Sequence, residues 1–170
     1  DGGQSLDTWA DTGALVRLDP DARLALACQV LDAVAAAHSV GVLHKDIKPG
    51  NVLISPAPDG GWRVRLTDFG SASLLEPERL AALKITALGM TVSAEGSSGL
   101  SGSAYYLAPE LHAGAAYSVR SDLFSLGVLA YQLLCGDLRR IMAPGWERDI
   151  TDPLLAADIA HATDVDPARR

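Results

Sequence analysis

The sequence is short of cysteine, lysine and aromatic residues. Two cysteines occur among 170 residues, Cys28 and Cys135. Neither stands in a C-x-x-C pair or in a Cys/His cluster, which argues against a disulfide framework or a zinc site of the usual spacing. Both fall in helix-like apolar stretches and are expected as buried, reduced thiols. Lysine occurs only at Lys45, Lys48 and Lys84, and Lys and Arg never gather in a run longer than two. With a formal net charge of −7, neither nucleic acid nor an anionic membrane is an expected partner. Long hydrophobic runs are missing too. The longest, 123–135, is interrupted by Ser125 and Gln132; it is too short for a bilayer and fits a buried core helix. No signal-peptide pattern opens the chain, and a cytoplasmic setting is expected.

What is present suits one domain. Hydrophobic residues make up 48% and charged residues 21%, ordinary for a globular protein, and a domain of this size buries roughly 70% of its unfolded surface. The chain begins with Asp rather than Met and stops at Arg170 without a tail, so a piece of a longer protein is expected. The alanine-rich, lysine-poor composition suggests a GC-rich bacterial source.

Local signals set the order of elements. Leu6 and Trp9 mark a short apolar turn. Asp19-Pro20 is a helix start, with Asp as cap and Pro at the first helical position. From there Leu24, Ala27, Cys28, Leu31, Val34, Ala35 and His38 share one face at helical spacing, and Gly41 supplies a left-handed stop. A polar turn, 44–51, leads into the strand 52–54. Pro56, Pro58 and Asp59-Gly60-Gly61 turn the chain into the alternating strand 62–66. Residues 71–104 form a long Ser-, Gly- and Ala-rich connection with a helix-like patch at 80–83. A short helix is expected at Pro109-Glu110, and a helix buried all round over 119–134. The fold class expected is α+β, mainly helical, with one small hairpin at the edge of the site.

The residues that carry chemistry cluster around that hairpin. His44-Lys45-Asp46-Ile47-Lys48-Pro49-Gly50-Asn51 precedes it and Asp68-Phe69-Gly70 follows it. Phosphoryl transfer needs little covalent help from a protein; positioning and charge neutralisation do most of the work. Asp46, on a tight turn, suits meeting an acceptor hydroxyl. Lys48, two residues on, can face the same way and balance phosphoryl charge. Asn51 and Asp68 offer hard oxygens from two segments, which suits Mg²⁺ bridging phosphates.

These motifs resemble the protein-kinase catalytic loop and its metal-binding triplet, with Lys45 where that family usually has Arg. Two more pieces follow in the family's order: 102–110, ending Ala108-Pro109-Glu110, resembles the end of an activation segment, and 122–128 resembles the start of the helix that anchors the catalytic loop. The resemblance spans the chain and implies a kinase-like C-terminal lobe over 1–170, partial because no small lobe precedes it. It implies ATP and Mg²⁺ as cofactors and a protein Ser or Thr hydroxyl as acceptor. By it, Asp46 is the catalytic base, Lys48 the phosphate contact, and Asn51 and Asp68 the metal ligands. Leu53 packs under the adenine, with Leu129 and Leu133 beneath it. Asp122 holds the backbone near His44, and Glu110 pairs with Arg170, or failing that Arg169. His44 stacks with Phe69, and Ser103 bridges Asp46 and Lys48. Lys48 also favours Ser/Thr over Tyr as acceptor.

Departures from the pattern carry expectations of their own. No lysine precedes the catalytic loop, so the family's nucleotide lysine is absent and the isolated chain is expected to bind ATP poorly and to be inactive by itself. Lys45 keeps a charge but lacks the fork of Arg; dependence on phosphorylation at Thr91, Ser97, Ser98 or Ser101 is expected to be weak. Gly96, Gly99 and Gly102 do not start a phosphate loop. Trp9, Trp62 and Trp146 are expected to pack, His38 to cap or pack its own helix, and His112 and His161 have no assignment. Two other readings stand beside the kinase. A small-molecule phosphotransferase of the aminoglycoside or choline type shares the His-x-Asp but usually has His at the Lys48 position and lacks Ala-Pro-Glu. A non-catalytic scaffold tends to lose the base or metal ligands, and here all three are present.

Overall fold

A computed structural model describes residues 3–69, 73–74 and 103–170. The helix-like patch at 80–83 and the candidate phosphosites lie outside the described residues, as does the side chain of Ser103.

The chain opens with strand β1 (Gln4–Ser5) and helices α1 (Leu6–Asp11) and α2 (Ala14–Arg17). Helix α3 (Pro20–Ser39) starts as its sequence dictates: Pro20 takes the first position and the Asp19 side chain accepts from the Ala22 N–H at 2.7 Å. It stops at Gly41, whose φ of 77° is a left-handed conformation open to glycine at little cost. Strand β2 (Val42–Leu43) follows, and a single 3-10 turn (Pro49–Asn51) leads to the hairpin of β3 (Val52–Pro56) and β4 (Trp62–Leu66). The hairpin register sets Val52 opposite Leu66 and Pro56 opposite Trp62. β1 adds to the other side of β3, and β2 pairs with β5 (Ser73–Leu74), which falls within the stretch read as a loop. After a 3-10 turn (Ser103–Tyr106) come the short helix α4 (Pro109–His112), the central helix α5 (Val119–Cys135) and α6 (Pro153–Ala162).

Helix α5 is the axis of the fold. A reciprocal Ser118–Ser121 capping box starts it. Leu126, Leu129 and Leu133 enter one core with Leu26, Val30 and Val34 of α3, Val52 and Ile54 of β3, and Leu6, Trp9 and Leu15. Each fully buried side chain of this kind contributes about 1.5–3 kcal/mol. On the far side, Gly127 lets α6 approach: a Cβ there would lie 2.8 Å from both Ala162 and Thr163. A second cluster forms from Tyr131, Ile150 and Ile159.

Two expectations are corrected here. Ala27 and Val34 of the expected face are buried, but the stripe they belong to runs through Leu26 and Val30 and not through Leu24, Cys28 and Leu31; Leu31 is exposed. Cys28 is therefore exposed, while Cys135 is half-buried. The physical reason is that α3 lies between α5 and β4, so tertiary partners choose which of two apolar stripes faces inward. The polar flank of α3 is used as well: the Gln29 amide donates to the Trp62 carbonyl at 3.0 Å and accepts from the Val64 N–H at 2.9 Å, finishing the free edge of β4. The tryptophans pack as expected, Trp9 edge-on to Trp62 at 4.8 Å and Trp146 edge-on to Tyr131 at 5.5 Å. No helix among the described residues is long and apolar enough to cross a membrane.

Candidate active site

The turn between β2 and β3 is shaped by one buried carboxylate. Asp122, in the first turn of α5, accepts from the His44 N–H and the Lys45 N–H, each at 2.8 Å. Its third contact is His38 Nε2, at 2.9 Å, so His38 reaches across 84 residues rather than serving only its own helix. Lys45 has φ 70°, a left-handed backbone that costs a non-glycine residue about 1–3 kcal/mol. Hydrogen bonds to a charged group, at about 1.5–3 kcal/mol each, are sufficient to hold it there. Helix α5 thus bends the loop so that the next residue, Asp46, is presented outward.

His44 ties this turn to the far end of the hairpin. Its Nδ1 accepts from the Asp46 N–H at 3.3 Å, which leaves Nε2 as the protonated nitrogen donating to the Thr67 carbonyl at 2.8 Å. The ring is fully buried, and one neutral tautomer satisfies both bonds. Phe69 meets it edge-on at 4.8 Å rather than face to face. Thr67 in turn donates its N–H to the Asn51 carbonyl at 2.9 Å and its hydroxyl to the same oxygen at 3.2 Å. The Asp46 turn and the Asp68 turn are therefore stitched together through His44, Thr67 and Asn51.

On that frame Asp46, Lys48 and Asn51 converge. Lys48 Nζ lies 2.7 Å from Asp46 Oδ2. Asn51 Nδ2 donates to the same Oδ2 at 2.8 Å and to the Asp46 carbonyl at 2.7 Å. Its amide end is fully used, so the Asn51 oxygen is the end left to accept or ligate. Asp46 and Lys48 side chains are 29% and 28% exposed, reachable by a substrate without being loose. Asp68 is exposed, with φ 60°, and no hydrogen bond or ion pair takes up its carboxylate among the described residues. Among those residues no group of three or more His, Cys, Asp or Glu could hold a metal ion. A cation here would rest on the Asn51 oxygen, the Asp68 carboxylate and oxygens from nucleotide and water, a donor set that fits Mg²⁺. Leu53 is half-buried, while its neighbours Val52 and Ile54 point the other way into the core with Leu129 and Leu133.

The supporting contacts fall largely where expected. Glu110 is held by Arg170 through two parallel bonds of 2.7 and 2.8 Å, and Arg169 goes instead to Asp164. The Arg170 hydrogen bonds hold the Glu110 carboxyl below its usual range. Tyr106, whose hydroxyl donates to Gln132 at 2.6 Å, is pushed up by burial. Two clefts of about 480 Å³ each are lined by none of Asp46, Lys48, Asn51 and Asp68, one around Ile141, Pro144 and Trp146, the other between α1 and Asp137.

Sequence reasoning missed three contacts: His38 with Asp122, Gln29 with β4, and Lys45 with Tyr117, whose ring centroid lies 5.3 Å from the Lys45 ammonium. All are long-range pairs of ordinary polar or aromatic residues, and no local spacing signals them.

Comparison with known proteins gives one consistent picture. The model of the protein kinase domain matches residues 3–144. The chain is 40% identical over 121 residues to serine/threonine-protein kinase pkn2 of Myxococcus xanthus, covering 71% of this chain and 13% of that protein. It is 38% identical over 125 residues to serine/threonine-protein kinase PkaB of Streptomyces coelicolor, covering 71% and 26%. The chain thus spans about a quarter or less of the length of these relatives. Its fold is similar to the crystal structure of the Mycobacterium tuberculosis PknI kinase domain, with a TM-score of 0.63 and 25% identity, covering 99% of this chain and 57% of that one.

Proposed function

Since the chain belongs to the protein kinase domain family, we propose that the protein is a serine/threonine kinase that transfers the γ-phosphoryl group of ATP to a protein Ser or Thr hydroxyl. The observation that carries this reading is the convergence of Lys48 Nζ and Asn51 Nδ2 on one oxygen of a reachable Asp46 carboxylate. The acceptor hydroxyl gives its proton to Asp46 as its oxygen bonds to the γ-phosphorus, and the bond to the bridging oxygen of ADP breaks. Lys48 neutralises charge on the transferring group. Asn51 and Asp68 would hold Mg²⁺, which when bound offsets phosphate charge. Leu53, on the half-buried side of β3, is the floor for the adenine. Relatives named as serine/threonine kinases support a Ser/Thr acceptor, and a nucleotide-dependent reaction with reduced thiols fits the cytoplasm.

Residues 1–170 are the large lobe of the kinase domain in this reading, and the lobe that covers the nucleotide lies elsewhere in the protein. The coverage of 57% of a solved kinase domain supports this division. Alone, the 170 residues bind Mg²⁺-ATP weakly; micromolar affinity by calorimetry would contradict that.

The direct test incubates the full-length protein with γ-labelled ATP, Mg²⁺ and acceptor protein, then hydrolyses the products. Label on phosphoserine or phosphothreonine is the expected outcome. Label on an aminoglycoside or choline, with none on protein, would favour a small-molecule phosphotransferase. No transfer to any acceptor would favour a scaffold.

A further inference from the structure

Lys45 is clamped twice by the beginning of α5. Its main chain, in the left-handed conformation, donates to Asp122. Its side chain places the ammonium 5.3 Å from the centroid of the Tyr117 ring, within the range in which the negative face of an aromatic ring attracts a cation. Tyr117 immediately precedes Ser118, the helix cap, whose N–H donates to Ser121 Oγ at 2.9 Å and whose hydroxyl accepts from the Ser121 N–H. The capping box therefore fixes Ser118, the residue next to Tyr117, and the Asp122 N–H bonds back to the Ser118 carbonyl at 3.3 Å. No carboxylate pairs with the Lys45 ammonium among the described residues; Asp46 turns to Lys48 and Asp122 to main-chain N–H groups and His38.

We propose that Tyr117 is a positioning residue for the catalytic turn: its ring holds the Lys45 ammonium, and so steadies the strained residue directly before Asp46 without an external anion. The inference rests on the kinase reading for its catalytic consequence but not for its structural one. It has a regulatory corollary: the turn does not need a phosphate brought to Lys45, because the cation already has a partner inside this lobe. A cation over an exposed ring is worth about 0.5–1 kcal/mol, and Tyr117 is 41% exposed. The expected effect is therefore modest, about 2–5-fold.

The experiment uses the full-length protein with Tyr117→Leu, Tyr117→Phe, Lys45→Met and the Lys45→Met/Tyr117→Leu double variant. The first readout is hydrogen exchange of the His44 and Lys45 amides, which needs no catalysis. Tyr117→Leu is expected to speed their exchange about 2–5-fold, Tyr117→Phe to leave it near the parent value, and the leucine change to add nothing once Lys45 is methionine. The second readout is kcat against KM for ATP, with kcat expected to fall by the same factor and KM to stay. Equal exchange in all variants, or additive effects in the double variant, would overturn the proposal. So would faster exchange of the Lys45 amide on dephosphorylation of the parent protein that is absent from Lys45→Met, because an anion would then be holding Lys45. Should the parent transfer no phosphoryl group while the exchange pattern holds, the kinase reading fails and the positioning role stands. Should Tyr117→Leu not fold, the Lys45→Met and Tyr117→Phe variants carry the same exchange test.

Discussion

Two ion pairs in this lobe have the same length and opposite characters. Arg170–Glu110 and Lys48–Asp46 both measure 2.7 Å between nitrogen and oxygen. The Arg170 side chain is completely buried, bonds both carboxylate oxygens of Glu110, donates further to the Asp164, Arg120 and Val165 carbonyls, and stacks on Phe124 at 5.0 Å. Its hydrogen-bonding capacity is used up in tying the end of the chain to α4 and α5. The Lys48–Asp46 pair is more than a quarter exposed on both sides and sits on a turn whose preceding main-chain N–H groups are held by Asp122. A saturated, buried pair holds architecture; a partly exposed pair at a braced turn is within reach of a substrate.

The sharpest way to break this contrast is Asp46→Asn. It should lower phosphoryl transfer by roughly 10²–10⁴-fold, the usual cost of losing a general base, while the melting curve of the domain stays in place. A matching loss of stability would mean that Asp46 is structural. Next in size is Arg170→Met, which strands the Glu110 carboxylate. Removing one partner of a buried pair costs about 3–5 kcal/mol, to be read by denaturant unfolding; a cost below about 1 kcal/mol, the surface value, would erase the distinction. A smaller effect is expected at the start of α3, where Asp19→Ala removes the acceptor for the Ala22 N–H and should cost about 1 kcal/mol with transfer unchanged.

The smallest effect is in acid. Glu110 has a folded pKa below its unfolded value because Arg170 binds the charged form. Its contribution is therefore complete above the ordinary carboxylate range and is lost as the pH falls through the lowered folded value. Melting curves taken downward from neutral pH should show that loss in the parent protein, and the Arg170→Met variant should lack this component. The same acid slope in both would contradict the assignment.

How much of this was legible in the sequence depended on distance along the chain. Asp46, Lys48 and Asn51 sit within six residues, so motif spacing alone brings their side chains to one place, and Asp68 follows one hairpin later. Glu110, Asp122 and Arg170 were reachable because their motifs fix a register across the lobe. Helix α3 was harder. Apolar residues at Leu24, Leu26, Ala27, Val30, Leu31 and Val34 leave two stripes at helical spacing, and only packing against α5 and β4 selects the one containing Leu26 and Val30. Strands β1 and β5 are two residues long, too short for any alternation to register. His38 looked like a residue of its own helix because nothing local reveals a partner 84 residues away, and nothing local signals the contact of Tyr117 with Lys45.

The measurement that tests the central contrast most directly is thermal unfolding of Lys48→Met beside Arg170→Met, with phosphoryl transfer followed on the same preparations. Lys48→Met is expected to melt within about 4 °C of the parent, the shift that a surface pair of up to about 1 kcal/mol allows in a domain of this size, and to lose transfer. Arg170→Met is expected to melt roughly 6–20 °C lower. If Lys48→Met falls as far as Arg170→Met, or keeps its full rate of transfer, the pair at the catalytic turn is architectural and the account of this site is wrong.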